Sequence, residues 1–204
     1  MKKILLHPIL SLLCVCMLTG ACKQKVPEKE TDVTVSGEGA ASMSMEGSGE
    51  ALRQAALEGK TDLAKELIAG GIDVDLSDQE GHTSLMFSAF NGHSVIVLLL
   101  LTNGAEIDRR DQLGRTALLY AATGPFPETV KILLDKGADP NIVDAGEHFT
   151  PLMHAAAEGN LEVVKVLLEY GADPALTDVD GDNAETFARQ AGHTEVAEYL
   201  HALL

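Results

Sequence analysis

The chain has 204 residues, of which 46% are apolar by type but only 4% aromatic, with no tryptophan. A core of this composition must be closely packed Ala and aliphatic side chains rather than large rings. The formal net charge of −16 excludes an ordinary nucleic-acid binder, because phosphate recognition depends on Lys and Arg displacing counterions.

In chain order, the first element does not read as part of a fold. Lys2 and Lys3 precede an apolar run from Ile4 to Leu18, closed by "LTGAC" ending at Cys22. A basic start, an apolar middle and small residues before a cut make a secretory signal. The run is shorter than the roughly 20 residues of a spanning helix, and His7 and Pro8 interrupt it. Residues 1–21 resemble a bacterial lipoprotein signal peptide, with Gly20 and Ala21 before the cut and Cys22 as the lipidated residue. Leu18 stands one place earlier than in the commonest form of that motif, where this chain has Thr19. All three cysteines, Cys14, Cys16 and Cys22, fall in or at the end of this segment, so none remains downstream for a disulfide or a metal. The resemblance implies a protein held on a membrane of the bacterial cell envelope through lipid on Cys22. Lys23 after the cysteine, where Asp would direct retention, resembles sorting to an outer membrane facing the periplasm. Residues 22–48 follow as a flexible linker, rich in Gly, Ser, Glu and Lys and without helical or strand period. As a coil it would reach on the order of 28 Å.

Downstream, the chain matches itself. Leu52, Leu85, Leu118 and Leu152 share one phase, and Leu67, Leu100, Leu133, Leu167 and Leu200 another. Gly71, Gly104 and Gly137 are 33 residues apart and Gly171 follows after 34, the extra residue falling in "DAGEHFT". "EGHTSLMFSAFNGHSVIVLLLLTNGAEIDRRD", "LGRTALLYAATGPFPETVKILLDKGADPNIVD" and "FTPLMHAAAEGNLEVVKVLLEYGADPALTD" are copies of one unit, with a worn copy on each side. This period and pattern resemble an ankyrin repeat protein over residues 49–204, in units 49–78, 79–111, 112–144, 145–178 and 179–204. The resemblance implies an all-α repeat solenoid of stacked helix-turn-helix units joined by short hairpin-like fingers.

The residues suit those parts. Thr83, Thr116 and Thr150 are placed to cap the inner helices, and Pro151 to begin one where a missing N–H costs nothing. Ala89, Ala122, Ala155 and Ala156 let inner helices approach, while "VIVLLLL", "VKILL" and "VVKVLL" supply the apolar faces of outer helices. Gly104, Gly137 and Gly171 are placed to end those helices, and Asp111, Asp144 and Asp178 mark the fingers. Some positions depart from the family. Its usual His is Met86, Leu119 and Met153 here, which predicts apolar packing in place of hydrogen bonds and less tightly tied fingers. Pro125 and Pro127 in "TGPFPET" predict a different, bulging turn. Arg53 and Gln54 in the first unit, and Glu185, Arg189 and Gln190 in the last, predict solvated ends.

Catalytic chemistry finds little support. In "TDVDGDNAE", Asp178, Asp180, Asp182 and Glu185 are spaced somewhat like a calcium loop, but Gly181 is fourth rather than sixth and no acid stands twelfth. His82, His93, His148, His154 and His193 have no zinc-ligand spacing, and His93 and His193 sit in the repeat's structural "GH" turn. Ser84 and Ser88 occupy ordinary repeat positions, and no phosphate loop is present. The expected protein is not an enzyme and carries no cofactor or metal.

What remains is a surface. In the resembled family, fingers and the open side of the inner helices line a concave face that binds other proteins. Here those positions are Gln79, Glu80, His82, Phe87, Phe90 and Asn91, then Gln112, Leu113, Arg115, Tyr120 and Thr123. Glu147, Phe149, His154, Glu158, Asp180 and Asp182 complete them. Phe90, Tyr120 and Phe149 read as anchors, though Phe87 and Tyr120 border the core and read equally as packing. The expected partner is another protein with a basic patch, and no nucleic acid. The expected function is a non-catalytic, lipid-anchored protein-binding module of the envelope: an inhibitor, an immunity-like protector or a stabiliser. The alternative is an ion- or small-ligand-binding module holding calcium in its acidic fingers.

Overall fold

The computed structural model describes residues 45–204; the signal segment, Cys22 and residues 23–44 lie outside the described residues. Among the described residues, ten helices follow one another in five pairs: α1 (Met45–Glu58) with α2 (Thr61–Ala69), α3 (Ser84–Phe90) with α4 (Ser94–Thr102), and α5 (Ala117–Ala122) with α6 (Pro127–Asp135). Then come α7 (Pro151–Ala157) with α8 (Leu161–Glu169), and α9 (Ala184–Ala191) with α10 (Thr194–His201). Each odd-numbered inner helix packs on the next inner helix, each outer helix on the next outer one, and the two members of a pair on each other. The described residues thus form an all-α repeat fold with a single isolated β-bridge, Thr177 to Asn183, inside the last finger. None of the described helices is long and apolar enough to cross a membrane.

The repeated small and aliphatic residues make the core. Ala55, Ala89, Ala122, Ala155, Ala156 and Ala188 are fully buried between inner helices, as are Leu100, Leu133, Leu167 and Leu200 on the outer ones. Leu67, in the same phase, is only half-buried because no earlier outer helix covers the first pair. Outer helices carry acid and base on their solvent side, as in the Lys165–Glu162 pair at 2.7 Å. Helix α4 departs, exposing Val95 and Leu98 at the matching places.

Helix α1 starts at Met45, inside the stretch expected as linker, and runs for 14 residues. Its first turns occupy the part of the unit where later repeats have a finger.

The inner-helix caps correct one expectation. Thr83 Oγ1 accepts from the Met86 amide at 3.3 Å, and Met86 Sδ accepts in return from the Thr83 amide at 3.5 Å. Thr150 and Met153 repeat the exchange at 3.2 and 3.4 Å. The methionine sulfur, a weak acceptor, closes a capping box that apolar packing alone was expected to replace. In the third repeat Leu119 has no acceptor to offer, and Thr116 Oγ1 is buried without a partner.

The fingers are not loosely tied either. Asp78 Oδ1 accepts from the amides of Glu80 and His82 at 3.0 and 2.7 Å. Asp111 holds Leu113 and Arg115 at 2.8 Å each, and Asp178 holds Asp180 and Asp182 at 3.0 and 2.8 Å. Fingers are then linked in series: Gln112 N–H donates to Glu80 O, Ala145 N–H to Leu113 O, and Val179 N–H to Glu147 O, at 3.0, 2.9 and 3.1 Å. The additional residue of "DAGEHFT" widens the fourth finger, and His148 takes φ 61° where the neighbouring fingers have Gly81, Gly114 and Gly181. A side chain in that region costs roughly 1–2 kcal/mol.

The "GPFPET" turn differs from its neighbours in backbone path but not in length. From cap to outer helix it has as many residues as its neighbours, because Pro125 replaces a glycine and Phe126 replaces the residue just before the outer helix. Proline cannot adopt the φ of 70° found at the matching Gly92, so the backbone takes another path at equal length. Phe126 stacks on Gly92 so closely that a Cβ there would lie 2.3 Å from its ring. His193 makes the same approach to Gly159, at 2.4 Å. His93 covers Gly59 likewise, and its Nε2 donates to Leu57 O at 3.2 Å. These two histidines serve the stacking of repeats, as their position in the unit suggested.

Candidate functional site

Fingers and inner helices share one face. Phe87, Tyr120, His154 and Phe187 each lie four residues beyond a cap, Thr83, Thr116, Thr150 or Asn183. One turn into α3, α5, α7 and α9, they form a file of rings across the last four repeats. Ahead of every cap stands the last finger residue, His82, Arg115, Phe149 or Asp182, and the first three of these contact rings of this file. His82 meets Phe87 and Tyr120 edge-on at 5.6 and 6.0 Å, and Phe90 meets Tyr120 at 6.2 Å. In the last two repeats Phe149 meets His154 at 5.7 Å and Phe187 at 5.3 Å. Such edge-to-face pairs hold each ring in a fixed pose.

Beneath the face lies a buried ionic network. The Asp111 carboxylate accepts from Arg115 Nε at 2.9 Å and from the Tyr120 hydroxyl at 2.7 Å. The Arg115 guanidinium also lies 4.7 Å from the centre of the Tyr120 ring. Burial works against the Asp111 charge, but the Tyr120 hydroxyl and the Arg115 amide and guanidinium outweigh it, holding the carboxyl below its ordinary value. Burial first, and then the Asp111 carboxylate, raise the Tyr120 hydroxyl well above its ordinary value. With two backbone amides also bound, this carboxylate has no capacity left for acid–base chemistry. Its work is to fix a finger to a helix.

The structure divides the residues expected on the surface. Gln79, Glu80, Gln112, Leu113, Glu147, Glu158 and Asp180 are exposed, and His82, Phe87, Phe90, Asn91, Arg115, Thr123, Phe149 and Asp182 are half-buried with an open side. Tyr120 and His154 lie under the face rather than on it, 1% and 6% exposed. Tyr120 is therefore packing, not an anchor. Burial pushes the His154 imidazole down to about 4, so it is neutral at pH 7.

Two features escaped the sequence reading. Phe187 belongs to the ring file, and its phase with Phe87 and Tyr120 would have found it. Arg53, grouped with the solvated ends, is half-buried, and its Nη1 donates to Leu76 O just ahead of the second finger at 3.2 Å.

Three of the four acids in "TDVDGDNAE" are already engaged by backbone or side chains. Asp178 Oδ1 takes two finger amides, Asp182 Oδ2 accepts from Gln190 at 3.2 Å, and Glu185 pairs with Arg189 and His201. Among the described residues, Asp78, Glu80 and His82 bring ligand atoms within 4.8 Å of one another. There too Asp78 is engaged, with two amides on one oxygen and His82 Nδ1 on the other at 2.9 Å.

Comparison with protein families finds that a family model described as ankyrin repeats (3 copies) matches residues 52–144 and 124–202. No curated protein matches the chain.

Proposed function

From the membership of this chain in the ankyrin repeat family, a family of protein-binding modules, we propose that it binds one partner protein through the concave face formed by fingers and inner helices. The observation that carries this reading is four half-exposed rings on one face, Phe87 and Phe187 of the file with Phe90 and Phe149 beside it, set among exposed finger residues such as Gln79, Glu80 and Leu113. Rings fixed by edge-to-face neighbours lose little entropy on binding, and aromatic anchors rimmed by polar groups are what protein contacts favour. The acid excess favours a partner with a basic patch, through faster and more selective encounter. The role is non-catalytic.

The apolar run from Ile4 to Leu18, closed by "LTGAC" at Cys22, supports a lipid anchor on a bacterial cell-envelope membrane, with Lys23 favouring an outer membrane facing the periplasm. In that setting the module serves as an inhibitor, an immunity-like protector or a stabiliser of an envelope protein. The calcium alternative has less support, because Asp178 already holds two finger amides.

The test is crosslinked capture from the native envelope, comparing wild type with a Phe87→Ala, Phe90→Ala, Phe149→Ala variant whose helical circular dichroism is unchanged. A single stoichiometric protein lost from the variant is expected. Equal capture by both would remove the concave face from consideration.

A further inference from the structure

The first and second repeats meet differently from the rest, and the difference leaves a groove. Later fingers are covered by one another through amide-to-carbonyl bonds such as Gln112 to Glu80. The second finger instead faces α1, whose extra turns stand where a first finger would be. Arg53 ties the two walls at one point, and Gly49 sits so close to Leu76 that a Cβ would be 3.0 Å from it. Beside these ties a space of about 910 Å³ is lined by Glu50, Gln54 and Leu57 of α1 together with Leu76, Glu80 and Phe87.

Its chemistry is of two kinds. Leu57, Leu76 and Phe87 are half-buried and form an apolar strip. Glu50 and Glu80 are exposed, and neither has an ion-pair partner among the described residues. The one guanidinium here, Arg53, is half-buried and donates to a backbone carbonyl. An acidic segment would be repelled by this groove, and a purely polar one would leave the apolar strip uncovered.

We infer that this groove receives an aliphatic side chain flanked by basic residues on a segment of the partner protein. The assignment rests on the concave-face reading and narrows it to one end of the array. Complementary charges at the rim select the segment, and burial against Leu57, Leu76 and Phe87 holds it.

The probe is a peptide of about 12 residues with one Leu between two Lys in a Gly/Ser background, titrated to ~1 mM into the isotopically labelled full chain and followed by amide NMR shifts. Saturable shifts are expected at Gly49, Gln54, Leu57, Gln79 and Phe87. The Kd should rise about tenfold in a Glu50→Gln, Glu80→Gln double variant, and by a similar factor when the peptide Leu becomes Ser. An Asp180→Asn, Asp182→Asn variant at the far end should bind as wild type does. Shifts confined to Phe149, Asp180 and Phe187 would overturn the groove and leave the wider face intact. Shifts on the outer helices alone would overturn both. Equal binding of a peptide with Glu in place of Lys, or no saturable shift by ~1 mM, also overturns the groove.

Discussion

Three threonines occupy one repeat position, and Thr→Val should change stability with opposite sign among them. Valine matches threonine in shape and removes only the hydroxyl. At Thr83 and Thr150 that hydroxyl accepts from the amides of Met86 and Met153, both almost fully buried, so its loss strands a donor away from water. The expected cost is about 1 kcal/mol at each site, the usual value of an N-cap. At Thr116 the hydroxyl is fully buried and has no partner, so removing it relieves desolvation and should stabilise by about 1 kcal/mol. Urea unfolding followed by circular dichroism would read this as shifts in midpoint of about 0.5 M in opposite directions, for a slope near 2 kcal/mol/M. Midpoints are comparable only while the slope is unchanged. A loss at Thr116 equal to that at Thr83 and Thr150 would refute the reasoning, because it would mean that the Thr116 hydroxyl has a partner in solution.

Tyr120→Phe takes one donor from the buried Asp111 carboxylate and should cost about 1.5–3 kcal/mol in the same urea assay, the value of a hydrogen bond to a charge. His148→Gly should stabilise by about 1 kcal/mol by relieving the left-handed backbone of the wide fourth finger; a loss of stability would show that the His148 side chain contributes a contact worth more. His154 links stability to pH. Its folded value of about 4 lies below the ordinary 6.5, so between the two the unfolded chain binds a proton that the folded chain does not. That stability is fully present above about 6.5 and is lost as pH falls towards 4, by up to about 3 kcal/mol. His154→Phe, the residue that the second and fifth repeats carry there, should flatten the profile in this window, and an unchanged slope would assign it to other groups.

The repeat was legible because leucines and glycines recur at fixed spacing, and stacking forces those positions inward whatever their neighbours. The finger ties were only partly legible. Asp at each finger start could be seen, but its hold on amides two and four residues on depends on the local backbone path. That Met86 could take over an acceptor's duty was hidden because sulfur reads first as an apolar filler. Pro125 and Pro127 announced a different turn, but the packing of Phe126 on Gly92 is visible only in the structure. The surface was harder still. Phe90 and Tyr120 are neighbours on one helix and its successor, yet one is half-open and the other sealed by Asp111 and Arg115. Ring identity carries no record of that difference. Helix α1 was cut short in the reading because Gly47 and Gly49 interrupt any apolar period.

The approach of each turn to the one before it has a direction. His93 covers Gly59, Phe126 covers Gly92 and His193 covers Gly159, so in every instance the covering ring is made by the ribosome after the glycine it needs. Bonds between repeats join residues only about one unit apart, 36 for His93 to Leu57 and 37 for Asn160 to Thr123. No repeat has to wait for a distant stretch of chain before it can settle on its predecessor. A polypeptide leaving the ribosome emerges in that same order, and this architecture lets it build itself one turn at a time.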